Sequence, residues 1–279
     1  MTQTLQAPKT PAISPAPVRA RRRRIRPTIA IPSLVVGFLL LAAIVPGVLA
    51  PGDPLAMEPA NAFASPSLTH PFGTDESGRD VFTRVIHGAR DSLSIGLMAT
   101  VIGVGLGLVL GVIAGWGSKV VDFGINRVLE VLFAFPSLLL ALLVITILGP
   151  GEMAITLAVG LSTAPGYARI IRSQVRSVRT SGYVEASIVQ GRSRWFLIRR
   201  HVLPNVAAPL FVLVTLGVGQ AIVWASSLSF LGLGTTPPAP EWGSMLAAGR
   251  GYMSIAWWIT LLPGLFIVLS AAATTVLGH

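Results

Sequence analysis

The residues that could carry out chemistry in this chain are few and scattered. Its histidines, none of them at the spacing of a zinc site, are His70, His87, His201 and His279. The segment "DESGRD", residues 75–80, contains acids but lacks the alternation and the distal glutamate of a calcium loop. Spacing suggests no Ser/His/Asp arrangement, no phosphate-binding G-x-x-x-x-G-K-[ST] occurs, and cysteine is absent. The sequence therefore predicts no catalytic residue, no metal site and no nucleotide hydrolysis in this chain.

The polar segment with the most regular pattern is "SGYVEASIVQG", residues 181–191. Ser181 or Gly182 can cap a helix start, and Glu185 lies early in that helix, where the macrodipole favours an acid. Gly191 suits the left-handed position that ends a helix. The pattern predicts a helix of about two turns. A second, basic helical stretch is predicted over residues 192–200, with its aromatic residues at membrane lipid headgroups, and Pro204 suits the first turn of the next helix.

These polar segments are exceptions in a chain that is mostly apolar. Hydrophobic residues make up 52% and charged residues 11% of its 279 residues, and the mean hydropathy is +0.72. Soluble domains contain roughly 25% charged residues. Apolar runs of about 18 residues or more recur, and each is long enough to cross the hydrocarbon of a bilayer. The composition predicts an all-α polytopic membrane protein.

Six apolar segments are long enough to be transmembrane helices. They cover residues 28–50, 92–114, 126–148, 153–171, 206–230 and 252–277. Pro136 is expected to kink the third segment, and the glycines of the second permit close approach of a neighbouring helix. Residues 28–279 are therefore predicted to form one transmembrane domain.

The net charge of +10 lies mainly beside apolar segments, which is typical of loops that fix membrane orientation rather than of nucleic-acid binding. The arginine-rich residues 1–27 are predicted to be a disordered tail. This tail and the basic loop over residues 173–205 should both be cytoplasmic, and six spans put both termini on that side. Four arginines at one helical spacing should carry positive charge into water: Arg169, Arg172, Arg176 and Arg179.

Residues 51–91 are predicted to lie on the opposite side of the membrane. The first part is a proline-rich loop. From Val81 onward, apolar residues recur on one helical face. This pattern predicts an amphipathic helix that lies in the membrane interface and leads into the second span.

An acid inside a span would indicate a proton-coupled carrier. Glu130 lies about one turn inside the predicted third span, and Arg127 is three residues away. An ion pair between the two at the interface is the favoured interpretation. The sequence thus predicts a transport bundle with no energy source of its own.

The segment from Glu185 to Pro204 resembles the EAA loop of ABC importer permeases. That loop has the pattern E-A-A, three residues, G, nine residues, I, x, L-P. The matching residues are Glu185, Ala186, Gly191, Leu203 and Pro204. Ser187 stands in place of the second alanine, and His201 stands in place of the isoleucine.

Three further segments resemble one branch of these permeases, the second subunit of dipeptide, oligopeptide and nickel importers. They are "RHVLPN", "HPFGTDESGRDVFTRVIHGARDSL" and "SLSFLGLGTTPPAPEWGSML". The resemblance covers roughly residues 30–275 and departs at the closing "TTVLGH", where such subunits usually continue. It implies the six-helix fold of type I ABC importer permeases in a bacterial inner membrane.

The resemblance implies a set of partners and a mechanism. The partners would be a second permease subunit, two cytoplasmic ATPase subunits or one fused ATPase, and an external substrate-binding protein. ATP and magnesium would bind to the ATPases, so this chain would need no cofactor. Glu185 would pair with a basic group on an ATPase, Ala186 and Ser187 would keep the contact face thin, and Gly191 would make the turn. Leu203 and Pro204 would return the chain to the membrane.

The substrate is left open by the sequence. An importer of dipeptides or oligopeptides is the leading hypothesis, an importer of nickel or another small solute is the second, and a self-sufficient carrier or channel is the third. Polar residues near the end of the fifth span could line the path or bond to neighbouring helices. These residues are Ser226, Ser227 and Ser229.

Overall fold

The computed structural model describes residues 27–278. The predicted tail up to residue 26 and His279 lie outside the described residues. Across the described part, the regular structure is helical, apart from an isolated antiparallel bridge between Thr74 and Asp80. The all-α prediction is therefore confirmed.

The helices follow one another along the chain with short connections, except before α3 and after α9. They are α1 Pro27–Ile44, α2 Pro46–Leu49, α3 Val81–Trp116, α4 Lys119–Ala134, α5 Ser137–Leu148, α6 Glu152–Arg179, α7 Gly182–Val189, α8 Arg194–Leu197, α9 Leu203–Phe230, α10 Trp242–Gly249 and α11 Trp258–Gly278. A π-helical turn, Ile198–Val202, joins α8 to α9.

Among the described residues, four helical segments are long and apolar enough to cross a membrane: α3, α6, the continuous stretch Arg194–Phe230, and α11. A fifth span forms if α4 and α5 are taken together. The predicted first span is shorter than expected, because the helix breaks at Val45 before Pro46 and only Ile29–Ile44 is continuously apolar and helical. The membrane bundle is confirmed, whereas the count of six full-length spans is not.

The predicted kink at Pro136 is a sharp bend of 93° between α4 and α5. Proline has no N–H for the helix ladder and forces the preceding residue into an extended conformation. Phe135 has φ −91° and ψ 134° accordingly. Helix α4 also begins earlier than the predicted third span, at Lys119, with Ser118 Oγ accepting a hydrogen bond from the Val121 N–H.

The structure differs from the sequence-based expectation of a separate amphipathic helix before the second span. Residues 81–91 are the first turns of α3, a single helix of 36 residues capped by Asp80, whose carboxylate accepts from the Thr83 N–H at 2.8 Å. The apolar face of these turns is buried in a core with Trp242 and Phe266. Packing against protein therefore accounts for the amphipathic pattern.

Helices α3 and α6 lie side by side and run in the same direction. Gly103 faces Thr163, Gly107 faces Tyr167, and further along Gly111 faces Ile171. A Cβ atom on Gly111 would lie 2.8 Å from the Cβ of Ile171, closer than side chains tolerate. The predicted role of these glycines in close helix approach is therefore confirmed.

Because α3 and α6 are parallel, the segments that follow them lie at one end of the bundle. We call this the basic end, comprising residues 117–118 and 180–202. Arg179 in α6 reaches the carbonyl of Gly117 there, at 3.3 Å. At the opposite end the Gly151 N–H meets the carbonyl of Leu233. The loops of the opposite end are held together by Arg84, which donates to the carbonyls of Pro54 and Pro238, each at 3.2 Å.

We expect Gly111→Val to destabilise the bundle by about 1–3 kcal/mol, because the added methyl groups would force α3 away from α6. Gly105→Val is the matched control, since Gly105 is exposed on the same helix and has no atom within 4 Å of its Cβ position. The midpoint of thermal unfolding in detergent measures the difference. Equal midpoints for the two variants would contradict this role of the seam.

Candidate functional site

The short helix α7 at the basic end has the start and stop that its sequence predicts. Gly191 has φ +75°, the Gly191 N–H donates to the Ile188 carbonyl at 2.9 Å, and the Arg192 N–H donates to the Ser187 carbonyl at 3.2 Å. These two bonds form a Schellman motif, for which glycine is the favoured residue. One detail differs: Ser181 occupies the N-cap position, but its hydroxyl donates to the Val178 carbonyl instead of capping the helix.

Most of the surface of α7 faces away from the bundle. Val184 is fully buried and anchors the helix. Glu185 and Ala186 are exposed, and two apolar neighbours are exposed as well, Ile188 by 51% and Val189 by 88%. Exposed apolar residues that lie side by side outside the spans form a candidate surface for contact with lipid or with another protein.

His201 ties α7 to the base of α9. Its ring lies 5.5 Å from that of Tyr183 and 6.0 Å from that of Phe196, measured between centroids. The Nε2 atom of His201 is 3.3 Å from the hydroxyl of Ser187, and this hydroxyl already donates to the Tyr183 carbonyl. Since a hydroxyl has one hydrogen, Nε2 is the donor to Ser187 when that hydrogen is engaged by Tyr183. The two residues that depart from the EAA pattern therefore contact each other.

The segment between α7 and α9 was predicted to be a second helical stretch, and the structure has it as α8 followed by the π-helical turn. Ser193 caps α8 by accepting from the Phe196 N–H. Val202, in the π turn, is buried together with Val206 of α9 and with Ile171 and Val175 of α6. Leu203 and Pro204 form the first turn of α9, as predicted, with Leu203 half-buried and Pro204 exposed.

The arginine row of α6 does not simply carry charge into water, as its spacing suggested. Asp122 of α4 accepts from Arg172 at 2.6 and 2.8 Å, a bidentate pair, and from Arg176 at 3.0 Å. Asp122 and Arg172 are both largely buried. Such bidentate, charge-assisted bonds are among the stronger polar contacts in proteins. They fix the start of α4 against the end of α6.

Arg179 closes the end of α3. Its guanidinium donates to the carbonyls of Gly115, Trp116 and Gly117 at 3.3–3.4 Å and lies 5.6 Å from the Trp116 ring centroid. A cation bound to the last carbonyls of a helix also complements its dipole. The ends of α3 and α6 and the start of α4 thus meet immediately before α7 begins.

The three serines predicted as path residues do not share one environment. Ser226 and Ser229 are 4% and 2% exposed and pack against Gly243 of α10. Ser227 is exposed and donates to the Val223 carbonyl at 2.8 Å within its own helix. Ser226 and Ser229 are buried because α10 packs closely on α9 at Gly243, so closely that a side chain at position 243 would overlap both serines.

Glu241 is a buried acid that sequence reasoning missed. It caps α10 by accepting from the Gly243 and Ser244 N–H groups at 2.8 and 2.9 Å, and Ser92 Oγ donates to it at 3.4 Å. Burial raises the pKa of Glu241, and these hydrogen bonds oppose that rise. The signal in the sequence is an acid directly before the apolar helix start "WGSML". Through these hydrogen bonds, Glu241 holds the loop after α9 against α3, at the end of the bundle opposite α7.

Residues 107–277 match the protein family described as "Binding-protein-dependent transport system inner membrane component". The chain is 39% identical over 245 residues to the dipeptide transport system permease protein DppC of Alkalihalophilus pseudofirmus, covering 88% of this chain and 80% of that protein. It is 38% identical to the glutathione transport system permease protein GsiD of an Escherichia coli strain, covering 93% and 85% respectively.

The fold also resembles that of a solved transporter. The MetNI methionine ABC transporter in an inward-facing conformation superposes with a TM-score of 0.57 over 71% of this chain and 94% of the matched chain, at 18% identity. At this identity the likeness concerns the fold alone. The helical arrangement described above is therefore one already known among ABC importer permeases.

We expect Asp122→Asn to lower the stability of the bundle by about 1–3 kcal/mol, because Arg172 would lose its charged partner in a largely buried place. Glu130→Gln is the matched control on the same helix. Glu130 pairs with Arg127 at 3.2 Å, as the sequence predicted, but both side chains are mostly exposed, so its loss should cost at most about 1 kcal/mol. Thermal unfolding in detergent compares them, and an equal loss in both variants would contradict the importance of the buried pair.

Proposed function

This chain belongs to the inner-membrane components of binding-protein-dependent transport systems, and we propose that it is a permease subunit of an ATP-driven peptide importer. It is a transport subunit and not an enzyme, since its relatives are named as permease proteins of transport systems. ATP hydrolysis would take place in partner subunits. Its own task would be to form part of the path and to respond to those partners.

The observation that carries this proposal is the geometry of α7. It is an ordered helix with a buried anchor, Val184, a Schellman stop at Gly191 and an exposed surface that includes Glu185, Ala186 and Val189. A loop that only reversed the chain would need no such surface. We infer that α7 docks into a groove on an ATPase subunit and that Glu185 meets a basic group there.

The contacts around α7 suggest how motion would spread from it. His201 links α7 to the base of α9, so a displacement of α7 would pull on that helix first. Asp122 and Arg172 link α6 to α4, whose bend into α5 could then open or close. Rigid helices joined by a few such contacts rock as units.

The complete transporter would contain a second permease, two ATPase subunits or one fused ATPase, and an external substrate-binding protein. ATP and magnesium would bind to the ATPases. The basic end would face the cytoplasm, with both chain termini, because eight arginines lie between residues 169 and 201. Peptides are favoured over nickel as substrate because the relatives are named for dipeptide and glutathione transport.

Glu185→Arg tests the docking role. We expect it to reduce ATP-dependent uptake of dialanine by the complete transporter at least about 30-fold, since a reversed charge at a buried interface costs 2 kcal/mol or more. The ATPase subunits should also fail to copurify with the variant. Glu58→Arg is the control, because Glu58 is an exposed acid in the loop at the opposite end.

Two results would contradict the proposal. One is wild-type uptake and copurification for Glu185→Arg. The other is uptake that proceeds with no ATPase subunit present and follows the membrane potential, as in a self-sufficient carrier.

His201→Leu tests whether α7 is coupled to α9 through His201. Removing the hydrogen bond to Ser187 loses about 1 kcal/mol of the attachment between α7 and the segment that leads into α9, so less dialanine should be taken up per ATP hydrolysed. His201→Gln keeps a donor near Ser187 and should retain most of this ratio. A loss of uptake with an unchanged ratio in both variants would indicate only a structural role.

A further inference from the structure

A face of α9 remains uncovered where the helix passes beside α11. Residues at helical spacing define this face, and they are Leu216, Gln220, Val223, Trp224 and Ser227. Together with Gly219 of α9 and with Ala271 and Thr275 of α11, the first four line an open groove of about 450 Å³. Ser227, one of the predicted path residues, lies one turn beyond the groove on the same face.

Gln220 sets this groove apart from the faces that meet lipid. It lies well inside α9, in one of the apolar spans, and it is exposed. Its carboxamide has no hydrogen-bond partner among the described residues. A polar side chain left without a partner in hydrocarbon is costly, so such residues face a water-filled cavity or another polar group.

The outward surface of α11 gives the contrast. Its large exposed side chains are all apolar, namely Leu261, Leu265, Val268, Leu269 and Val276. This is the composition expected of a face in contact with lipid tails. The groove face of α9 presents instead an amide, a hydroxyl and an indole ring among aliphatic residues.

We propose that this groove is a binding site for the backbone of the transported peptide, an inference that rests on the proposed function. The Gln220 carboxamide can both donate to and accept from a peptide amide. Leu216, Val223 and Trp224 offer apolar contact to large and to small peptide side chains. None of the residues lining the groove is ionisable, so the site would recognise the amide backbone and tolerate different side chains.

Single-cysteine labelling tests the proposal, and the chain contains no native cysteine to interfere. Gln220→Cys in the complete transporter is exposed to a charged, membrane-impermeant methanethiosulfonate in membranes open on both sides. Leu269→Cys is the matched control, because Leu269 is 39% exposed and lies two residues before Ala271, on the side of α11 that faces away from the groove. The reagent reacts with thiolate in water, so Gln220→Cys should label about tenfold faster or more, and dialanine with binding protein and ATP should slow it.

Labelling of Gln220→Cys as slow as that of Leu269→Cys would overturn the proposal, because it would mean that lipid or the second permease covers the groove. Rapid labelling that dialanine does not slow would overturn it as well. The kinetic counterpart is Gln220→Leu, which should raise the KM for dialanine roughly fivefold, with partial recovery in Gln220→Asn.

The proposed function can fail separately. A wild-type transporter with no ATP-dependent dialanine uptake would count against peptide transport itself. Normal wild-type uptake together with an unlabelled Gln220→Cys would remove only the inference about the groove.

Discussion

The close parallel contact between α3 and α6 is the constraint on which the arrangement of this bundle depends. Gly107 and Gly111 let the two backbones approach, with Tyr167 and Ile171 filling the space that side chains would otherwise occupy. Parallel helices finish at the same end, so the carbonyls that close α3 come within reach of Arg179. Because α7 follows directly after α6, this contact also sets where α7 starts relative to α3, α4 and α6.

At the basic end some helices are held by strong contacts and α7 is held by few. This difference determines which parts can move separately. Asp122 holds α4 to α6 through paired charges in a largely buried place. By contrast, α7 depends on one buried valine and on the group around His201. A helix with few attachments can move as a small rigid body, whereas the helices beneath it respond together.

Local features of this chain could be predicted from its sequence, and long-range ones could not. The stop at Gly191 and the break at Pro136 follow from the backbone preferences of single residues, so their positions were predicted. The contact of Asp122 with Arg172 joins residues 50 positions apart, which no periodicity reveals. The sequence did not show that residues 81–91 are the first turns of α3. A helical face that packs against protein and one that lies on lipid have the same apolar pattern. For Ser226 and Ser229 the sequence left open a path lining or a contact with a neighbouring helix, and it could not identify α10 as the helix that packs on them.

The bend between α4 and α5 affects how the chain fits its bilayer. Helix α5 has 12 residues and spans about 18 Å, well short of the ~30 Å of a typical hydrocarbon core. Helix α4, with Val120 and Phe123 exposed beside charged residues, has the character of a helix lying at the headgroups. If α5 crosses alone, the membrane thins locally here, or a neighbouring subunit displaces it, to match this short crossing. Lipid chain length is thus a variable that acts on this half of the bundle.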